Sequence, residues 1–65
     1  MSGVVSLEFD GRLYEAEYHL VDGVVTVYGD QGSEFTSLGG SEPEAIAKQL
    51  LRRLAQRGEI EPLTP

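Results

Sequence analysis

The sequence predicts an α+β domain, an antiparallel β-meander of three to four strands with one C-terminal α-helix packed on one face. Three observations predict it. Asp10-Gly11 and Asp22-Gly23 each stand between runs in which apolar and polar residues alternate. Helical spacing of apolar residues replaces alternation after Ser41. A stretch rich in glycine and serine separates the two regimes.

The first strand is placed at 4–9, VVSLEF, with Val5, Leu7 and Phe9 at every second position. The second is placed at 12–21, with Tyr14, Ala16, Tyr18 and Leu20 in the same alternation. Asp-Gly between such runs is a strong hairpin signal, because a type I′ turn needs positive φ at both central residues. A two-residue loop puts Phe9 opposite Arg12, Leu7 opposite Tyr14 and Val5 opposite Ala16. Both apolar sets then share one face. The second Asp-Gly repeats the device before a strand at 24–29. It sets Val21 against Val24, Leu20 against Val25 and Tyr18 against Val27.

A fourth strand at 33–38, SEFTSL, is less determined, and two registers stay open. A three-residue loop with Gly32 left-handed pairs Val27 with Phe35 and sends the phenyl ring to the core, the preferred reading because a thin core needs it. A two-residue loop, Gln31-Gly32, pairs Tyr28 with Phe35 and turns both outward.

The helix is placed at 42–57. Ser41-Glu42-Pro43-Glu44 reads as a capping box, Ser41 and Glu44 exchanging side-chain to backbone bonds, with proline in the first turn. Ile46, Ala47, Leu50, Leu51 and Leu54 form the apolar face, and Gly58 is the expected C-cap. Residues 1–58 thus read as one domain. Residues 59–65 read as an irregular tail from which Ile60 or Leu63 can tuck against the sheet.

At 65 residues the chain buries only about 60% of the surface it exposes when unfolded, so the core is thin. There is no cysteine, hence no disulfide and no thiolate site. The start, MSGVVSLEFDG, lacks the basic region and apolar run of a signal peptide, and no segment approaches the roughly 20 apolar residues of a membrane span. A cytoplasmic, soluble protein is the expectation. The net charge of −6 disfavours nucleic acid and anionic lipid. The charge is also divided. Glu8, Asp10, Glu15, Glu17, Asp22, Asp30 and Glu34 lie in the first half, whereas Lys48, Arg52, Arg53 and Arg57 lie in the helix.

Gly39-Gly40 opening onto a helix invites comparison with a phosphate cradle. A Walker loop needs a lysine and a hydroxyl residue after its glycines. Here Glu42 and Glu44 occupy the anion's place, and Pro43 deletes an amide donor. His19, the one histidine, falls beside Glu17 on the outer face. A His-carboxylate pair can serve as a general base, but no nucleophile is placed near it. Zinc would need further nitrogen or sulfur ligands. Glu8, Glu15 and Glu17 suit a hard cation in type but lack any loop spacing for one. No catalytic residue, metal or cofactor is therefore expected.

Two surfaces remain. Val4, Leu13, Val21, Val24 and Tyr28 fall on the outer face, and Leu13, Val21, Val24 and Tyr28 are the candidate partner surface. Lys48, Arg52, Arg53 and Arg57 form a basic patch that also complements the helix dipole. The strand-strand-strand-helix order and GSEFTSLGGSEPEAIAKQLL resemble the second half of a double-stranded-RNA-binding domain. That family, however, begins with a helix and grips phosphate with lysines where Glu42 and Glu44 stand. SEPEA (Ser41–Ala45) is similar to the helix start of small sheet-and-helix antitoxins of the HicB type. The expected function is a non-enzymatic protein-protein interaction or homodimerising module using the outer face. Alternatives are weak nucleic-acid binding through the basic patch, or antitoxin-like neutralisation of a basic partner.

Overall fold

A computed structural model describes residues 1–63. Four antiparallel strands, β1 (Ser2–Phe9), β2 (Arg12–Val21), β3 (Val24–Tyr28) and β4 (Ser33–Ser37), form one sheet in the order β1-β2-β3-β4. One helix, α1 (Pro43–Gln56), packs against one face. The fold is the α+β meander that the sequence predicts. Its strand ends differ slightly: β1 begins two residues before position 4, β3 stops before Gly29, and β4 stops before Leu38.

The two Asp-Gly turns set the register. Asp10 and Gly11 have φ of 55° and 76°, and Asp22 and Gly23 have 51° and 75°, the positive pair a type I′ turn requires. Phe9 pairs with Arg12, Leu7 with Tyr14 and Val5 with Ala16; across the second turn Val21 pairs with Val24 and Tyr18 with Val27. Val5, Tyr14, Ala16, Tyr18, Val25 and Val27 thereby reach one buried face. Leu50, Leu51 and Leu54 of α1 lie against them, each fully buried. Burial of such a side chain stabilises the fold by roughly 1.5–3 kcal/mol.

The third turn follows neither expected register. Phe35 pairs with Thr26, and Tyr28 with Ser33. The Gly29 N–H donates to the Gly32 carbonyl (2.7 Å), leaving Asp30-Gln31 as the tip. Gly32 is not left-handed; the positive φ values lie elsewhere. Phe35 points to solvent and is 71% exposed, so the expectation that it fills the core is corrected. The reason is parity. Leu38 packs against the core, and residues 35 and 38 fall on opposite faces of an extended chain.

What closes the core at this end is the tail. Ile60 is buried with the core cluster, whereas Leu63 is exposed. The Gln31 N–H donates to the Glu59 carbonyl (2.9 Å), and the Glu61 N–H donates to Asp30 Oδ2 (2.6 Å). A methyl group on Gly29 would stand 2.6 Å from the Glu59 carbonyl oxygen, so glycine is what lets the two backbones meet. The Leu63 N–H bonds the Leu13 carbonyl (2.8 Å), on the part of β2 that runs past the end of β3. Over residues 59–63 the tail is irregular in conformation, with Ile60 packed into the core; residues 64–65 lie outside the described residues.

The helix start is also corrected. Glu42, not Ser41, is the N-cap, with φ −71° and ψ 134°, and no side chain caps it. Pro43 occupies the first turn and forces the residue before it to be extended, which moves the cap one residue past Ser41. The other end stops one residue earlier than expected, at Gln56 with Arg57 as C-cap, and Gly58 supplies the left-handed residue that follows. The Gly58 N–H bonds the Ala55 carbonyl, and the Glu59 N–H bonds the Leu54 carbonyl, a Schellman pattern. This turn aims Ile60 back at the sheet.

Ile60→Ala should lower unfolding free energy by about 2–5 kcal/mol, the range for a buried isoleucine truncation. Leu63→Ala should change it by less than about 0.5 kcal/mol, the surface value. Urea denaturation of the two variants checks both.

Candidate functional site

The solvent face of the sheet collects the side chains that the core leaves out. Val21 faces Val24 directly across β2 and β3. Phe35 faces Thr26 across β3 and β4, diagonal to both Val24 and Tyr28 on the same face. Such neighbours stand about 4.5–5.5 Å apart when opposite and about 7–8 Å when diagonal, within reach of an aromatic ring. Val21, Val24, Tyr28 and Phe35 therefore make one apolar cluster around Thr26, and all four are exposed. Three of its members are predicted partner-surface residues. The fourth, Phe35, replaces Leu13, which is exposed too but lies eight residues from Val21 along β2, about 27 Å at strand rise.

The flank of this cluster is acidic. Glu15 and Glu17 follow one another on the outer face of β2, and Glu8 lies on β1 one pair further on, opposite Leu13. His19 stands between the two regions. Its Nε2 is 3.2 Å from Glu17 Oε1, and its ring meets Tyr28 edge-on at 5.5 Å with 77° between planes. Both His19 and Glu17 are open to solvent. Among the described residues, no group of three or more His, Cys, Asp or Glu side chains is arranged to hold a metal ion.

The basic patch forms as well, but three of its four charges are engaged. Arg57 Nη2 lies 2.9 Å from Glu34 Oε2 and 2.9 Å from Glu59 Oε1. Arg53 Nη1 lies 3.8 Å from Glu34 Oε1. Glu34, foremost, and then Glu59 hold the Arg57 guanidinium above its ordinary pKa. The guanidinium of Arg52 lies over the Phe9 ring at 5.8 Å, a cation–π contact. Lys48 lines two shallow grooves. One, at the helix start, is shared with Glu42, Glu44 and Ala45, so an anion there would face two carboxylates. The other is shared with Leu7, Glu8, Gln49 and Arg52.

Glu34 is the site residue that sequence reasoning missed. Its signal is the same parity that governs Phe35: with Leu38 inward, Glu34 and Thr36 turn toward the helix, where the arginines of its last turns lie. No helix among the described residues is long and apolar enough to cross a membrane. Comparison with protein-family models, curated proteins and solved structures finds no match to the chain.

With three of its four helix cations engaged within the molecule and a net charge of −6, the chain should not bind nucleic acid. Fluorescence anisotropy of a labelled RNA or DNA duplex should stay flat in a titration at about 50 mM salt, where electrostatic binding is strongest. A salt-sensitive rise that Arg52→Glu abolishes would contradict this.

Proposed function

We propose that this chain is a small non-enzymatic module that works by protein-protein contact through the solvent face of its sheet. The carrying observation is the cluster of Val21, Val24, Tyr28 and Phe35. None of the four serves the core, because all lie on the side of the sheet away from α1. Small folded chains seldom keep a contiguous apolar patch in water without a use for it. The acids beside the cluster define the partner's chemistry. Apolar groups belong opposite β3 and β4, and cations opposite Glu15 and Glu17. That is also the complement an acidic neutraliser of a basic partner would meet. A chain without cysteine suits a reducing compartment, and the cytoplasm is the setting we propose.

Val21→Thr, Val24→Thr and Tyr28→Thr together keep β-propensity and strip the apolar surface. Each should change stability by no more than about 0.5 kcal/mol, being exposed. A photo-crosslinking residue at position 36 would report on the wrong side, so position 26 is used, with Gln49 on the exposed side of α1 as the control. In cells, a defined protein adduct should form from position 26, fail to form from position 49, and disappear in the threonine variant. Equal yields from both positions, or adducts that survive the threonine substitutions, would sink the reading.

A further inference from the structure

We infer that two copies of this chain pair antiparallel along β4, edge to edge, into a continuous eight-stranded sheet. This goes beyond the face contact and does not depend on it. β4 is an edge strand. The bonds from the Gly29 N–H to the Gly32 carbonyl and from the Leu38 N–H to the Gly23 carbonyl fix the bonding phase of the β3–β4 ladder. Alternation then gives Glu34 and Thr36 to β3 and turns the N–H and C=O of Ser33, Phe35 and Ser37 to the free side.

Those three outward positions read Ser-Phe-Ser, the same in both directions. A two-fold contact needs such self-complementarity. An antiparallel pair centred on Phe35 sets Ser33 against Ser37 of the second copy and Phe35 against its own counterpart. All three outward residues exchange backbone bonds. The two phenyl rings meet on the outer face, with Cα atoms about 5.5 Å apart. On the helix side Glu34 falls opposite Thr36 of the second copy, and its own charge is already held by Arg53 and Arg57.

Charge decides between this contact and its rivals. Stacking two outer faces with each β2 over its counterpart would bring Glu15 and Glu17 of one chain over the same acids of another, each chain carrying −6. Pairing along β1, the other edge, would bring in the exposed Glu8. Pairing along β4 leaves the two β2 strands five spacings apart, about 24 Å at strand spacing. That is well beyond the Debye length of about 8 Å at physiological salt. Nor does β4 carry the devices that blunt an edge: it has no lysine, no proline, and its one acid is turned inward and paired.

Sedimentation and concentration-dependent NMR test the pairing. From about 10 μM to about 1 mM, where small interfaces associate, the mass should rise from 7.1 kDa toward twice that value. The Ser33, Phe35 and Ser37 amides should shift and gain exchange protection over the same range, and the Glu34 and Thr36 amides should not. Phe35→Lys sets two ammonium groups at the two-fold on an exposed position, so the fold survives and association should weaken at least about tenfold, as like charges directly opposite require. Ser37→Pro removes one outward N–H and spares the Leu38 bond; it should act likewise. A chain that stays at 7.1 kDa at the top concentration overturns the inference. So does a dimer that both variants leave intact, or one whose protection appears along β1. A dimer lost in the Val21, Val24 and Tyr28 threonine variant but kept by Phe35→Lys also overturns it, while leaving the face reading in place.

Discussion

One helix can cover one face of a four-stranded sheet, and that constraint organises the molecule. Leu50, Leu51 and Leu54 meet Val5, Tyr14, Ala16, Tyr18, Val25 and Val27, and no second helix exists in the described residues to cover the reverse side. The arrangement holds only if every inward residue of β1, β2 and β3 points the same way. A slip of one residue at either Asp-Gly turn would move a whole strand's apolar set into water. The left-handed Asp10 and Asp22 therefore matter to the core, although neither touches it. The same constraint fixes what is left over. Whatever alternates with the core stands in solvent, and there the sequence has placed valines and aromatic rings as well as acids.

The parts of the fold legible in the sequence are those set by local chemistry. Asp-Gly fixes loop length, loop length fixes register, and register gives Val21, Val24 and Tyr28 a common face. Gly29-Asp30-Gln31-Gly32 carries no such instruction. Its shape comes from bonds to Glu59 and Glu61, some thirty residues on, and no local pattern announces them. With the loop length undetermined, the parity of β4 is undetermined too, so Phe35 is expected inward where it lies outward, and Glu34 is not assigned to the helix side. The alternation of Leu38 against Phe35 was the available clue, because both could not be inward. Ser41 failed for a different reason. Its capping motif was real, but Pro43 imposes extended geometry on Glu42 and so chooses the cap.

Glu34, once inward, changes what the basic helix end means. Taken alone, Lys48, Arg52, Arg53 and Arg57 read as a surface for an anion. In the fold Glu34 and Glu59 gather Arg53 and Arg57, and Phe9 takes Arg52. These are exposed contacts, individually weak. Their importance lies in connection: the helix end, the tail and the β3–β4 turn join through Arg57, Glu59, Gln31 and Asp30. A short edge hairpin far from the helix start is thus tied down by the chain's other end. The tie falls on the turn that leads into β4.

Edge and face then differ in what they admit. The face joins an apolar cluster to an acidic flank, the complement of a partner bearing cations beside apolar groups. The edge carries one acid, Glu34, turned inward and paired with Arg57, and its outward positions read alike in both directions, the complement of a second copy. On the proposed pairing, the negative charge on β1 and β2 lies too far from β4 and is too well screened to oppose it. Two copies joined there would lay their Val24, Tyr28 and Phe35 clusters side by side. The apolar area offered to a different protein would roughly double, with the acids at the two outer ends to align it.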